Sequence, residues 1–152
     1  MKTRIVILAA GKGKRMKSDI PKVLIPLHGK PLIEHLLKSI KESNIDPRPL
    51  IVIGNGGELV RKTLGEEYEY AIQEKQLGTG HAVQTALKAL TELQDAIVVL
   101  YGDHPFVTSA TIKRLVEIHE GKNPALTLMT TIVPDFEDWR RPFYDFGRIV
   151  RN

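Results

Sequence analysis

The chain has 152 residues, 42% of them apolar and 26% charged, with a formal net charge of +4 and no cysteine. That length suffices for one domain with a real core, and these proportions are those of a globular chain, not a disordered or membrane-embedded one. Without cysteine there is no disulfide framework and no thiolate metal site, which fits a reducing compartment, so a soluble cytoplasmic protein is expected. The positive charge is uneven: Lys2, Arg4, Lys12, Lys14, Arg15, Lys17 and Lys22 stand against Asp19 alone in the first 22 residues. Such clustering points to a local anion site. A nucleic-acid surface would repeat basic residues along a face with aromatics between them. The apolar run before the first glycine covers six residues, too short for a signal peptide's apolar region or a membrane span.

In chain order, residues 4–10 read as a first strand, apolar at nearly every position as a strand buried on both faces should be. The loop that follows, Gly11-Lys12-Gly13-Lys14-Arg15, is glycine-rich and cationic. Residues 21–26 are a short extended piece between prolines. Pro31 is expected as the first residue of a helix to about Ser43, with Leu32, Ile33, Leu36, Leu37 and Ile40 on one face. Residues 50–53 form a second buried strand, stopped by glycines, and residues 58–64 a short helix. Residues 68–73 read as a third strand. Thr79, between Gly78 and Gly80, is expected to cap a helix running to about Leu93. Residues 96–101 are a fourth strand, and Thr108 or Ser109 caps a helix through His119. Residues 125–133, rich in β-branched side chains, read as a fifth strand. A polar loop over 134–145 leads to a further strand beginning at Gly147. Strands separated by helices of this length imply parallel βαβ units, hence a Rossmann-like three-layer α/β/α sandwich with a mostly parallel sheet. The whole chain, 1–152, reads as one domain without repeats or linkers.

Three stretches carry chemistry. Gly11 and Gly13 lack the Cβ atoms that would hold a ligand off the backbone, and successive N–H groups in such a turn make an anion nest. Lys12, Lys14, Arg15 and Lys22 add charge, with Arg15 able to grip a phosphate through two N–H groups. The alternative is a strand, a glycine turn and solvated lysines. The second stretch is Gln73 with Gln76-Leu77-Gly78-Thr79-Gly80-His81-Ala82. An amide offers a donor and an acceptor, as the imide edge of uracil asks, and the glycines let a base lie against the backbone. A helix entry with glycines for close packing reads equally well. The third is Tyr101-Gly102-Asp103, where a carboxylate after a buried strand suits Mg²⁺ held together with substrate phosphates. An Asp in an ordinary turn is again the plain alternative.

Taken together, Leu8-Ala9-Ala10-Gly11-Lys12-Gly13-Lys14-Arg15-Met16 with Pro21-Lys22-Val23-Leu24, the Gln76 to Ala82 element, Tyr101-Gly102-Asp103 and Phe146-Gly147-Arg148-Ile149 resemble the sugar-1-phosphate nucleotidyltransferases. The nearest branch is that of the N-acetylglucosamine-1-phosphate uridyltransferases, and the likeness runs over nearly the whole chain. It implies that Leu8, Ala9, Ala10 and Gly11 line the nucleoside and phosphates, with Gly13 in the same loop, while Arg15 and Lys22 hold the triphosphate and the departing pyrophosphate. It further implies that Gln73, Gly78 and Thr79 read uracil, that Tyr101 and Gly102 face the ribose, that Asp103 binds Mg²⁺ and that Gly147 approaches the acceptor sugar. The expected partners are UTP and a sugar-1-phosphate, without nucleic acid or membrane. Lys14 stands where the family usually has threonine, and Phe146 where it has tyrosine.

The resemblance also leads one to expect a domain that continues past Asn152. The continuation would carry the acceptor-sugar contacts, the second Mg²⁺ ligand and, in bifunctional members, a β-helix acetyltransferase domain of which these 152 residues hold no trace. A sheet cut partway exposes an edge, so a homo-oligomer is expected. Three functions stay open: the uridyltransferase reading, a nucleotidyltransferase for another NTP or acceptor such as phosphocholine, and a nucleotide-binding module without turnover.

Overall fold

Strand β1 (Thr3–Leu8) is apolar on both faces because both faces are covered. Ile5 and Ile7 point to one layer, Val6 and Leu8 to the other, and the period-two alternation of strand side chains separates them. The computed structural model describes residues 1–11, 20–54 and 57–150. In that structure β1 lies between β4 (Leu50–Gly54) and β6 (Ala96–Tyr101), and β5 (Glu69–Gln73) flanks β4, giving the order β5-β4-β1-β6 with every pair parallel. A small antiparallel ribbon, β2 (Pro26–Leu27) with β3 (Lys30–Pro31), precedes the first helix.

Helices α1 (Leu32–Ser43), α2 (Glu58–Leu64) and α4 (Ser109–Lys122) cover the face of Ile5 and Ile7 with Ile33, Leu36, Ile40, Val60, Leu64, Ile112 and Val116. Helix α3 (Thr79–Ala89) covers the other face, where the small Ala82 and Ala86 allow close approach to Val6, Leu50 and Val52. This is the expected three-layer sandwich. The loop after α1 is tied to β1 by Asp46, 4% exposed, which accepts from Ile5 N at 2.7 Å, Arg4 Nε at 3.0 Å and Arg48 N at 3.0 Å. No helix among the described residues is long and apolar enough to cross a membrane.

The local expectations hold with adjustments. Residues 22–24 form a turn of 3₁₀-helix within the stretch expected to be extended, and Pro31 is the N-cap of α1 rather than its first helical residue. The third helix stops at Ala89, short of Leu93. Its N-cap is Gly78 and no side chain caps it, so Thr79 is its first helical residue rather than its cap. Thr108 does cap α4, accepting from Thr111 N at 3.2 Å.

Among the described residues, 125–133 and 147–150 form neither the expected fifth strand nor the strand beginning at 147, and a 3₁₀-helix (Asp138–Asp145) occupies the predicted loop between them. A strand is stabilised by the neighbour that takes up its backbone hydrogen bonds, and β-propensity alone does not supply one. Leu126, Leu128, Met129 and Ile132 are accordingly exposed.

Candidate active site

The chain leaves β1 toward β4 and β5, then returns to the far side of β1 to form β6, so the strand order reverses between β1 and β6. In open α/β sheets the crevice beyond the carboxyl ends of the strands at such a reversal is the binding place. Here the ends of β1 and β6 lie side by side, with Leu8 in register with Tyr101, and the end of β5 at Gln73 pairs with Gly54 of β4. A cavity of about 270 Å³ opens at this rim.

Its walls come from separate parts of the chain. Leu8, Ala9, Ala10 and Gly11 continue β1 into one wall, Gln73, Gln76, Gly78 and Thr79 form the second, and Tyr101, Asp103 and Lys22 the third. The tertiary fold therefore brings together most of the residues singled out in sequence. Gly11 lines the cavity and is itself exposed. Gly78 has φ +107°, a conformation that a side chain would strain, and this turn lets α3 begin against the cavity.

Gln73 ends β5 at 3% exposure. Its Nε2 lies 3.2 Å from Gly78 O and 2.9 Å from His81 Nδ1. Both N–H bonds of the amide are thus directed into the protein, and the donor-plus-acceptor pairing anticipated from sequence reduces to an acceptor.

Lys22 Nζ donates to Asp103 Oδ2 at 2.5 Å, with the Lys22 side chain 43% and the Asp103 side chain 22% exposed. His104 Nε2 stands 3.9 Å from the other Asp103 oxygen, and its ring is 5.1 Å from that of Tyr101. Asp103 is the one carboxylate among the described residues that line the cavity, and no group of three or more His, Cys, Asp or Glu able to hold a metal occurs among the described residues.

Other expected residues fall elsewhere. Gly102 does not line the cavity. Its N–H extends the parallel ladder to Leu8 O at 3.0 Å, and a Cβ there would sit 3.0 Å from Val23 Cγ1, so it serves close packing beneath the rim. Gly147 is exposed, follows the 3₁₀-helix and is not part of the cavity wall. Gly13 and Arg15, with Lys12 and Lys14, lie outside the described residues.

Sequence reasoning did not assign Gln76, Val23 or Ala82 to the cavity, and all three line it. Gln76 Nε2 donates to Ala10 O at 2.5 Å, tying the loop after β5 to the residues that follow β1. Its place in the Gln76 to Ala82 element was the available signal.

Known proteins resemble this chain in sequence and in fold. The chain is 41% identical over 148 residues to the bifunctional protein GlmU of Enterococcus faecalis, covering 97% of this chain and 30% of that protein. It is 43% identical over 146 residues to the bifunctional protein GlmU of an Exiguobacterium species, covering 96% of this chain and 31% of that protein. The chain thus spans about 30% of the length of these curated relatives. Among solved structures, a nucleotidyl transferase from Methanothermobacter thermautotroptrophicus superposes with a TM-score of 0.67 at 25% identity, over 76% of this chain and 57% of that one. Rv0371c from Mycobacterium tuberculosis shares the fold, with a TM-score of 0.68 at 22% identity over 79% of this chain and 61% of that one. The sequence family described as the MobA-like NTP transferase domain matches residues 5–137. By that match, together with the strand order and the cavity at its reversal point, the chain belongs to the MobA-like NTP transferase family.

Proposed function

We propose that this chain is the nucleotide-binding part of a uridylyltransferase that joins UTP to a sugar-1-phosphate, with N-acetylglucosamine-1-phosphate as the first candidate, and releases pyrophosphate. The observation that carries the reading is that the Gln73 amide, the Ala9–Gly11 backbone and the Lys22–Asp103 pair wall one and the same cavity. These offer, in turn, an acceptor for a base N–H, backbone room for ribose and phosphates, and paired charges for phosphate and metal. The first amides of α3 have no intrahelical partner and are available to a carbonyl of the base. Identity of about 41% to the bifunctional GlmU proteins over almost the whole chain supports the same class of donor and acceptor.

The reaction is an in-line displacement. An oxygen of the sugar phosphate attacks the α-phosphorus of UTP, the bond from that phosphorus to the bridging oxygen breaks, and pyrophosphate departs with the electron pair. The attacking oxygen is already ionised at neutral pH, so the protein need not supply a base. Its task is alignment and stabilisation of negative charge. Lys22 sits at the rim where it can meet the phosphates, and Arg15 is assigned the same task from the resemblance of its loop.

The donor set fits Mg²⁺. Asp103 offers a hard carboxylate, Mg²⁺ is commonly held by one or two carboxylates with substrate phosphates, and the Lys22 ammonium already shows a cation accommodated at this oxygen. When bound, the ion would neutralise and orient the phosphate oxygens.

In a thermal-unfolding experiment with Mg²⁺, UTP is expected to raise the melting temperature more than CTP, GTP or ATP. Equal shifts would sink the uracil assignment. Pyrophosphate release from UTP and N-acetylglucosamine-1-phosphate then separates an enzyme from a nucleotide-binding module.

A further inference from the structure

The uridylyltransfer reading uses Gln73 and leaves His81 without a task. The geometry around the amide gives it one. Gly78 O can only accept a hydrogen bond, so the end of the Gln73 amide that lies 3.2 Å from it must be the nitrogen. That same nitrogen faces His81 Nδ1 at 2.9 Å. Two donors cannot share a hydrogen bond, so Nδ1 must be the bare, accepting nitrogen of the ring and the ring proton must sit on Nε2. Both amide hydrogens are then used inside the protein. The carbonyl oxygen Oε1 remains as the amide's group for an occupant of the cavity that Gln73 lines.

The local chain builds this contact. Gln73 is the last residue of β5 and His81 lies in the first turn of α3, and the left-handed turn at Gly78 folds one back upon the other. With His81 absent, the amide would be held by Gly78 O alone and could turn end for end at the cost of one bond.

We propose that His81 is a specificity-determining positioning residue. It takes the second N–H of Gln73 and fixes Oε1 as the acceptor offered to the base, so the site admits a pyrimidine that donates at N3, as uracil does. A pyrimidine that carries a lone pair at N3, as cytosine does, is turned away. The inference rests on the uridine reading above and goes beyond it, since it concerns what sets the amide and not what the amide reads.

The test is equilibrium binding of UTP and of CTP to the full chain with Mg²⁺, for the native protein, His81→Leu, His81→Ala and His81→Asn. Loss of a neutral hydrogen bond predicts that Leu or Ala lowers the UTP-to-CTP affinity ratio roughly five- to tenfold. Asn, whose oxygen can accept near the place of Nδ1, is expected to keep the native ratio. A native preference for UTP that Leu and Ala leave unchanged overturns the role of His81 while the uridine reading stands. No preference in the native protein removes both. A readout independent of variants and ligand is the ring tautomer in mildly alkaline buffer, from long-range proton–nitrogen correlations. The proton on Nε2 supports the proposal, and the proton on Nδ1 overturns it.

Discussion

Gln76 and Gly54 set the distance between the two loops that meet over the cavity. Gln76 reaches across 66 positions of sequence to Ala10 O, and it can do so because Gly54 has no side chain in the way. A Cβ at Gly54 would lie 2.8 Å from Gln76 Nε2 and 3.0 Å from Ala10 O. The first neighbour is the movable end of a side chain, whereas the second is backbone. Gly54→Ala is therefore expected to cost roughly 1–3 kcal/mol, the range of overpacking, measured by urea unfolding. Adding Gln76→Ala should recover part of that cost, and strict additivity of the two changes would show that they do not share the space. Gln73, Lys22 and Asp103, which line the cavity, were legible as candidate site residues because their chemistry follows from residue type at the end of a strand or beside a glycine loop. The bridging role of Gln76 and the orienting role of His81 were not. Both depend on where a side chain lands once the loops have met.

Among the elements, β5 and α2 are joined by a contact with its own pH signature. Tyr70 donates its hydroxyl to Gly65 O at 2.7 Å, at the end of α2, and the Arg61 guanidinium lies 5.5 Å from the centre of its ring. Arg61 in turn holds Glu66 through Nε at 2.9 Å and a second nitrogen at 2.7 Å, which lowers the Glu66 pKa and raises that of Arg61. Burial, followed by the nearby Glu66 carboxylate, pushes the Tyr70 hydroxyl up to about 12 from 10.0. A group whose pKa is raised on folding contributes stability in full below its unfolded value and loses it as pH climbs through the folded one. For Tyr70 that window runs from about pH 10 to about pH 12.

Tyr70→Phe should cost about 1 kcal/mol at neutral pH through the lost hydrogen bond, and its stability should fall less steeply across the alkaline window. Tyr68, also raised chiefly by burial, keeps part of the slope. An unchanged alkaline profile in the variant would contradict the assignment. At this scale the sequence served well for strands buried on both faces, and less well at helix ends, where Gly78 rather than Thr79 is the cap of α3.

For the molecule as a whole, the sheet has an outer edge at β6, and the chain carries a run of exposed apolar side chains after α4. No strand pairs with the far side of β6 among the described residues. Leu126, Leu128, Met129 and Ile132 belong to a β-prone segment that makes no strand there. Open edges and apolar patches of this kind template pairing with another chain. Sedimentation velocity is expected to show association that grows with protein concentration, and a sharp monomer boundary across the concentration range would count against it.

What the sequence determined by itself was the order of the four sheet strands and of the helices as far as α4, the parallel three-layer class, and the candidate site residues at the ends of β1, β5 and β6. Apolar runs, helical periodicity and glycine breaks act over a few residues, so they can be read without the fold. Tertiary structure decided what depends on distant partners. It left residues 125–133 without a ladder to join, brought Lys22 to 2.5 Å from Asp103, and turned the Gln73 amide so that its nitrogen faces Gly78 and His81. Strand pairing and side-chain hydrogen bonds are relations between separate segments, and their geometry exists only once those segments are packed.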